Sequence, residues 1–210
     1  RLDKHRVDSS SGGLTNWLLV KLLEIGEIDG VIHVGESSID NSLFEYCISS
    51  TPEEIQNNSK SRYYPVHFDK VLNQIKLTNK KYAFVGVPCH IKAIRLLMLN
   101  DQKIKNRVKY CFAIFCGHSK SSFFAEMIGW QASIKPKELK KIDFRIKNPS
   151  KKSSQYSVQV IGHDLLGPKE ATMETSQLFG MDWGLGLFKP LACDWCDDIA
   201  GEVADIAMGD

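Results

Sequence analysis

The sequence predicts an α/β fold: a mixed β-sheet flanked by helices, with an antiparallel β segment in the C-terminal half. Three observations predict it. Short apolar runs such as Val31-Ile32-His33-Val34, residues 82–87 and residues 108–115 alternate with segments whose apolar residues recur every three or four positions. Turn formers, among them Gly26, Asp29-Gly30 and Pro88, separate the runs. After Ser133 the helical periodicity gives way to two strand-like stretches across a Lys- and Ser-rich loop.

Taken in order, Ser9-Ser10-Ser11-Gly12-Gly13 opens a helix carried by Leu14, Trp17, Leu18, Leu22 and Ile25, and Gly26 ends it. Residues 31–34 form a buried strand and residues 43–48 a second one. Thr51-Pro52-Glu53-Glu54 carries an N-cap, an N1 proline and first-turn acids, so a short helix begins there. Residues 68–77 are expected to be helical and residues 82–87 to form a strand broken at Pro88-Cys89. Ile91, Ile94, Leu97 and Met98 mark an amphipathic helix. A strand over 108–115 ends at Cys116-Gly117, and a helix is predicted over 119–130. Strands over 141–146 and 156–161 pair antiparallel, and the glycine- and aromatic-rich 180–186 is a loop. Residues 1–134 form the α/β core, and residues 135–210 complete the same domain.

The 210 residues allow a full hydrophobic core. With 43% apolar and 25% charged residues, the composition is that of a soluble globular chain. A net charge of +2 is too small to make nucleic acid or an anionic membrane the main partner. No apolar run reaches the roughly 18 residues of a membrane-spanning helix, and residues 1–11 lack the apolar stretch of a signal peptide. The chain begins without methionine and stops at Asp210 in a strand-like run, so it is expected to be a segment of a longer protein. Six cysteines without a secretory signal favour a reducing compartment, the cytoplasm by default, and metal or redox roles over disulfides.

Four of those thiols carry the chemistry. Cys193-Asp194-Trp195-Cys196 places two sulfurs within reach of one metal, while Cys89 and Cys116 each stand at a strand end, the edge where open α/β sheets gather ligands. Four thiolates match the ligand count of zinc or of an iron–sulfur cluster. One pair plus two distant single thiols suits a cluster nested among loops better than the paired motifs usual for zinc, and the spacing admits both. Cys47 and Cys111 lie within apolar strands and are expected to be structural. His90 is expected to be a satisfied loop histidine, and Asp197, Asp198 and Glu202 to cap or solvate a helix.

Ser11, Gly12 and Gly13 before a helix could set backbone N–H groups against a phosphate, or simply cap and enter it. Residues 59–63 offer hydroxyls, the Arg62 guanidinium and an aromatic ring. Arg145, Lys147, Lys151 and Lys152 form a cationic surface suited to a pyrophosphate, with too few interleaved aromatics for RNA stacking.

Ser10-Ser11-Gly12-Gly13, Leu22-Leu23-Glu24, Asp29-Gly30-Val31-Ile32, Gly86-Val87-Pro88-Cys89, Phe115-Cys116-Gly117, Cys193-Asp194-Trp195-Cys196 and residues 204–210 occur in an order and spacing that resemble the coenzyme F420 hydrogenase/dehydrogenase beta-subunit family. The resemblance implies an iron–sulfur flavoprotein oxidoreductase in which electrons pass between a [4Fe-4S] cluster and FAD, and FAD exchanges hydride with coenzyme F420 or a related organic acceptor. It implies Cys89, Cys116, Cys193 and Cys196 as cluster ligands and Ser11, Gly12 and Gly13 against the flavin nucleotide, with Arg62, Arg145 and Lys147 as candidates for its phosphates. It also implies a redox partner, either a ferredoxin or another subunit, a small-molecule hydride donor or acceptor, and neither nucleic acid nor a membrane span. No catalytic side chain is assigned. Some relatives carry a further ferredoxin-like cysteine cluster near their start, which this sequence lacks. The rival readings are a zinc-stabilised binding module, perhaps for nucleic acid through residues 135–152, and a dithiol redox protein working through Cys193 and Cys196.

Overall fold

The computed structural model describes residues 9–10, 12–38, 42–152 and 154–209. Ser11, one of the expected nucleotide contacts, lies outside them. Among the described residues the strands form two sheets. The larger has the order β2-β1-β3-β4-β8, built from β1 (Gly30–Glu36), β2 (Phe44–Ser49), β3 (Tyr82–Gly86), β4 (Val108–Ile114) and β8 (Ile206–Met208). β1, β3, β4 and β8 run parallel, and β2 pairs antiparallel with β1 at one edge. The smaller sheet, β5 (Leu139–Lys147), β6 (Tyr156–Asp164) and β7 (Gly167–Glu174), is antiparallel throughout. This is the mixed α/β architecture that the pattern of elements predicts, with the antiparallel segment in the C-terminal half.

Strand alternation sorts the apolar side chains of the large sheet between its two faces. Ile32, Phe84 and Cys111 pack with α3 (Asp69–Ile75), α4 (Pro88–Asn100) and α5 (Gln102–Arg107) through Val71, Leu72, Ile75, Ile91, Ile94 and Ile104. Val31, Ala83, Val85 and Phe112 face the other way, onto Leu19 and Val20 of α1 (Leu14–Glu24) and Ile55 of α2 (Pro52–Asn57). Helices on both faces are the cover that parallel strands require. The small sheet lays Ile142, Phe144, Val158 and Val160 against Phe124, Ala125 and Ile128 of α6 (Ser122–Gln131).

Local chemistry sets the boundaries. Thr51 caps α2 as its sequence predicts, accepting the Glu54 N–H at 3.2 Å, with Pro52 in the first turn. Gly26 ends α1 with a left-handed φ of 72°. The N-terminus of α1 departs from a serine-capped start: Gly13 occupies the cap in a left-handed conformation and no side chain caps the turn. α6 begins at Ser122, three residues later than the periodicity predicts, because residues 116–121 run as an irregular connection. β7 and α5 are not foreshadowed in the sequence reading. No helix among the described residues is long and apolar enough to cross a membrane.

A buried polar pair bridges β1 and β2. His33, 5% exposed, places Nε2 2.7 Å from Ser49 Oγ. Burial, reinforced by the Arg62 guanidinium, holds its pKa down at about 4. The unfolded state therefore binds a proton that the native state refuses between the ordinary value of 6.5 and about 4. Stability is fully present above 6.5 and falls as the pH drops through that window, by about 3 kcal/mol in all. Urea unfolding at stepped pH should show that slope in the wild type and a flatter one in His33→Gln, and parallel curves would refute the assignment. Gly201 tests the packing of β8: its φ is +79°, and a Cβ there would lie 2.2 Å from the Cβ of Ala113. Gly201→Ala is expected to cost about 2 kcal/mol or more in the same unfolding assay, since both the backbone and the contact are strained.

Candidate functional site

The carboxyl ends of β3 and β4 release the segments that carry Cys89 and Cys116, with the end of β8 beside them. Gly86 pairs with Ala113, and Ile114 with Met208, so the chain leaves the sheet at one edge from neighbouring strands. A Cβ at Gly86 would meet Tyr46 Oη at 2.8 Å and His90 Cβ at 3.1 Å, so a bare backbone is what fits there. Pro88 then fixes the first turn of α4 and delivers Cys89 within it. Cys116 follows β4, anchored by its N–H to Ile199 O at 3.1 Å, and the preceding Phe115 N–H bonds Met208 O at 2.9 Å. Those two bonds bring the segment with Cys193 and Cys196 back to the sheet edge. Asp198 shapes that return, its carboxylate accepting the Gly201 N–H at 2.6 Å and the Glu202 N–H at 3.2 Å. It therefore caps a turn rather than the helix expected there, while Asp197 pairs with Lys92 at 3.3 Å.

Cys89, Cys116, Cys193 and Cys196, although 107 positions separate the first from the last (196 − 89), fall in one electrostatic neighbourhood. Burial pushes the Cys116 thiol up to about 11, and a negative charge on Cys89, Cys193 or Cys196 would push it the same way. Cys89 is raised by burial and by the charges of Cys196 and Cys193. Ser119 N–H donates to Cys193 Sγ at 3.5 Å, and Cys196 Sγ–H donates to Asp198 O at 3.4 Å. Cys89 and Cys196 are exposed, Cys116 and Cys193 half-buried. Among the described residues no three Cys, His, Asp or Glu side chains close on a point suited to a single metal ion. Cys47 and Cys111 stand apart. Cys111 is fully buried, with its N–H on Asp205 Oδ2 at 2.7 Å, and Cys47 faces the Asn58 amide.

Beside the thiols lies a cavity of about 510 Å³. Its wall includes the start of α1 with Gly12 and Gly13, the loop carrying Lys60, Arg62 and Tyr63, and the segment Cys116–Lys120. Cys116 thus belongs to the thiol group and to the cavity wall at once. Ser10 Oγ ties the approach to α1 to that loop by accepting the Ser61 N–H at 2.7 Å. Arg62 lays its guanidinium over the Phe44 ring, 5.1 Å from the centroid, and its buried Nε has no hydrogen-bond partner among the described residues. Arg145 also lines the cavity, with its guanidinium over Tyr156. Lys147 does not line it, and Lys151 is engaged by Glu174. The basic stretch is therefore divided, with Arg145 turned to the cavity and Lys147 and Lys151 away from its wall.

Several residues of the wall escape sequence reasoning. His33 is among them, as are Trp183, His118 and the buried Lys120. His90 lies in the first turn of α4 rather than in a loop, and its Nδ1 is 3.0 Å from Tyr46 Oη, so it is satisfied as expected. His118 rests against Trp183 with ring centroids 4.7 Å apart. Residues 180–186 contribute this ring because Trp183 sits in a short 3₁₀ turn whose start Asp182 caps through the Gly184 N–H. A glycine-rich loop gives no periodic signal for that inward position.

Comparison with known proteins agrees with the architecture. The N-terminal model of the coenzyme F420 hydrogenase/dehydrogenase beta subunit matches residues 1–73, and the C-terminal model matches residues 79–210. An uncharacterized protein of Methanocaldococcus jannaschii is 33% identical over 88 residues, covering 42% of this chain and 33% of the relative. The coenzyme F420-dependent sulfite reductase of the same organism is 22% identical over 98% of this chain and 32% of its own length. The chain thus spans about a third of those two curated relatives. A chain of the F420-reducing [NiFe] hydrogenase complex from Methanosarcina barkeri shares the fold, with a TM-score of 0.67 at 20% identity over 99% of this chain and 67% of that one. With both halves of the sequence matched in order, the chain belongs to the coenzyme F420 hydrogenase/dehydrogenase beta-subunit family.

Proposed function

We propose that this chain is the cofactor-holding core of an oxidoreductase, in which Cys89, Cys116, Cys193 and Cys196 hold a [4Fe-4S] cluster and the adjoining cavity holds FAD. The observation that carries the proposal is the double membership of Cys116, whose thiol feels the other three and whose residue lines the cavity. A one-electron centre and a two-electron cofactor would then share a wall.

The residues fit both groups. The four thiols share one electrostatic neighbourhood, and four cysteine thiolates are the ligand set that such a cluster takes. For the flavin, the uncapped first turn of α1 leaves N–H groups for a phosphate beside Gly12 and Gly13. The orphaned Nε of Arg62 asks for an acceptor, and the Arg145 guanidinium joins it on the wall. Trp183, His118 and Tyr63 supply ring faces. When bound, the cluster supplies single electrons and the flavin a two-electron exchange with an organic molecule. The chain's own residues bind, orient and shield, and they hold the two sites within one sheet edge. The raised thiols of Cys89 and Cys116 would be lowered on metal binding, which takes thiolates and releases protons.

Coenzyme F420 is the organic partner that the names of the sulfite reductase and of the hydrogenase complex suggest. A ferredoxin or a second subunit would meet the exposed rim of Cys89 and Cys196 to deliver or remove electrons.

The full-length protein isolated without oxygen should be brown-yellow, carry about four iron atoms per chain, and release FAD on denaturation. Cys89→Ser, Cys116→Ser or Cys196→Ser should remove most of the iron, and Cys47→Ser should leave it. A colourless protein with one zinc per chain, or equal iron in all four variants, would overturn the assignment. Reduction assays with F420, nicotinamide and ferredoxin then identify the acceptor and the donor.

A further inference from the structure

Lys120 is 2% exposed and lines the cavity. Lysines are rarely buried, and when they are, a carboxylate usually accompanies them. Here the ammonium donates to Leu187 O at 2.7 Å and sits 4.4 Å from the centroid of the Trp183 ring and 5.1 Å from that of Phe124. Among the described residues no acid forms an ion pair with it. Lys189, itself engaged by Asp194, opposes its charge, and Lys120 in turn holds the neighbouring His118 imidazole down. Among the described residues, Lys120 thus meets a carbonyl dipole and two ring faces but no paired negative charge, and an uncompensated buried cation is costly. Burial, with Lys189 adding to it, depresses the Lys120 pKa, as that cost requires.

The missing charge is best supplied from the cavity. Phosphates have separate candidate partners at the start of α1 and at Arg62. Lys120 instead stands among Trp183, His118 and Phe124, on the same short connection as Cys116. Resting on the flavin reading above, we propose that Lys120 is the counter-charge to the flavin ring in its reduced, anionic form, so that it strengthens the hold on reduced cofactor relative to oxidised. The balance is simple: a neutral ring that takes two electrons from the redox partner through the thiol-held centre, and one proton from water, carries one net negative charge. A fixed cation on a dry wall favours that product over the neutral starting ring.

The test uses the full-length protein, prepared without oxygen and stripped of flavin, and titrated separately with oxidised and dithionite-reduced FAD. Lys120→Met and Lys120→Gln should weaken the reduced form about tenfold more than the oxidised form, which lowers the bound flavin's two-electron potential by about 30 mV. Lys120→Arg should restore the wild-type ratio. Equal weakening of both forms, as a phosphate partner or a purely structural lysine would give, overturns the proposal. If both neutral variants fail to fold, the spectrum of reduced flavin bound to the wild type at mildly acidic pH decides. An anionic reduced flavin supports the proposal, and a neutral one overturns it. Wild-type protein that takes up no flavin overturns this inference together with the reading it rests on, whereas flavin bound with an unchanged ratio in the variants overturns this inference alone.

Discussion

The parallel register of β3, β4 and β8 is the constraint on which the rest of the site depends. Parallel neighbours release their chains at the same sheet edge, so Gly86 beside Ala113 brings the Cys89 and Cys116 segments into one region, and the Cys116 N–H bond to Ile199 O draws the stretch with Cys193 and Cys196 to it. The large insertion between β4 and β8, which includes the whole small sheet, must leave from that edge and return so that β8 can pair. Asp205 N–H on Cys111 O at 2.9 Å and the Asp205 carboxylate on the Cys111 N–H at 2.7 Å fasten the return to the middle of β4. Arg95 of α4 grips the same aspartate at 2.7 Å. One carboxylate therefore joins the helix that carries Cys89, the strand that precedes Cys116 and the segment that follows Cys196.

Much of this was legible in the sequence. Buried parallel strands read as continuous apolar runs, so β1, β3 and β4 stood out, and Thr51-Pro52 announced a helix by its own hydrogen bonding. The placement of Cys89 and Cys116 at strand ends was visible for the same reason. β7 was not, because Gly167-Pro168-Lys169-Glu170 opens it with residues disfavoured in strands, and one of its faces is open to solvent. Its pairing is imposed by β6 across the Asp164–Gly167 turn rather than by its own propensity. α5 is too short for periodicity to register, and its start rests on Asp101 accepting the Lys103 and Ile104 N–H groups. Lys120 and His33 were invisible in a different way. A lysine in the first turn of a predicted helix reads as solvated and a histidine in an apolar run as core, and only packing reveals that both border a cavity.

The four thiols show how far spacing can reach. With two residues between them, Cys193 and Cys196 declare themselves as a pair, whereas Cys89 and Cys116 are tied to them in the sequence only by their strand-end positions and the family pattern. Their convergence is a property of topology: β3 and β4 end side by side, and the Cys116 N–H bond to Ile199 O brings the segment with the pair beside them. Cys47 and Cys111 carry the same functional group in strands of the same sheet, yet they lie within the strands rather than past their ends. The difference between a structural cysteine and a candidate ligand here is a matter of whether the strand has ended.

The connection from Cys116 to Lys120 concentrates what the cavity wall can do. Its first residue belongs to the thiol group, Gly117 has open space where a side chain would project, His118 lies on Trp183, and the Lys120 ammonium rests against the same ring. The delayed start of α6 makes this possible. A helix from 119 onward would rotate Lys120 by about 100° from its neighbours, with no reason for a charged side chain to face a core that holds Phe124. An irregular segment frees it from that period, and the Ser121 N–H bond to Phe188 O at 2.9 Å holds the segment against the loop that carries Leu187. That loop supplies the carbonyl on which the ammonium rests. The late helix boundary that sequence periodicity misplaced is thus the structural device that turns a cation toward the space beside the thiols.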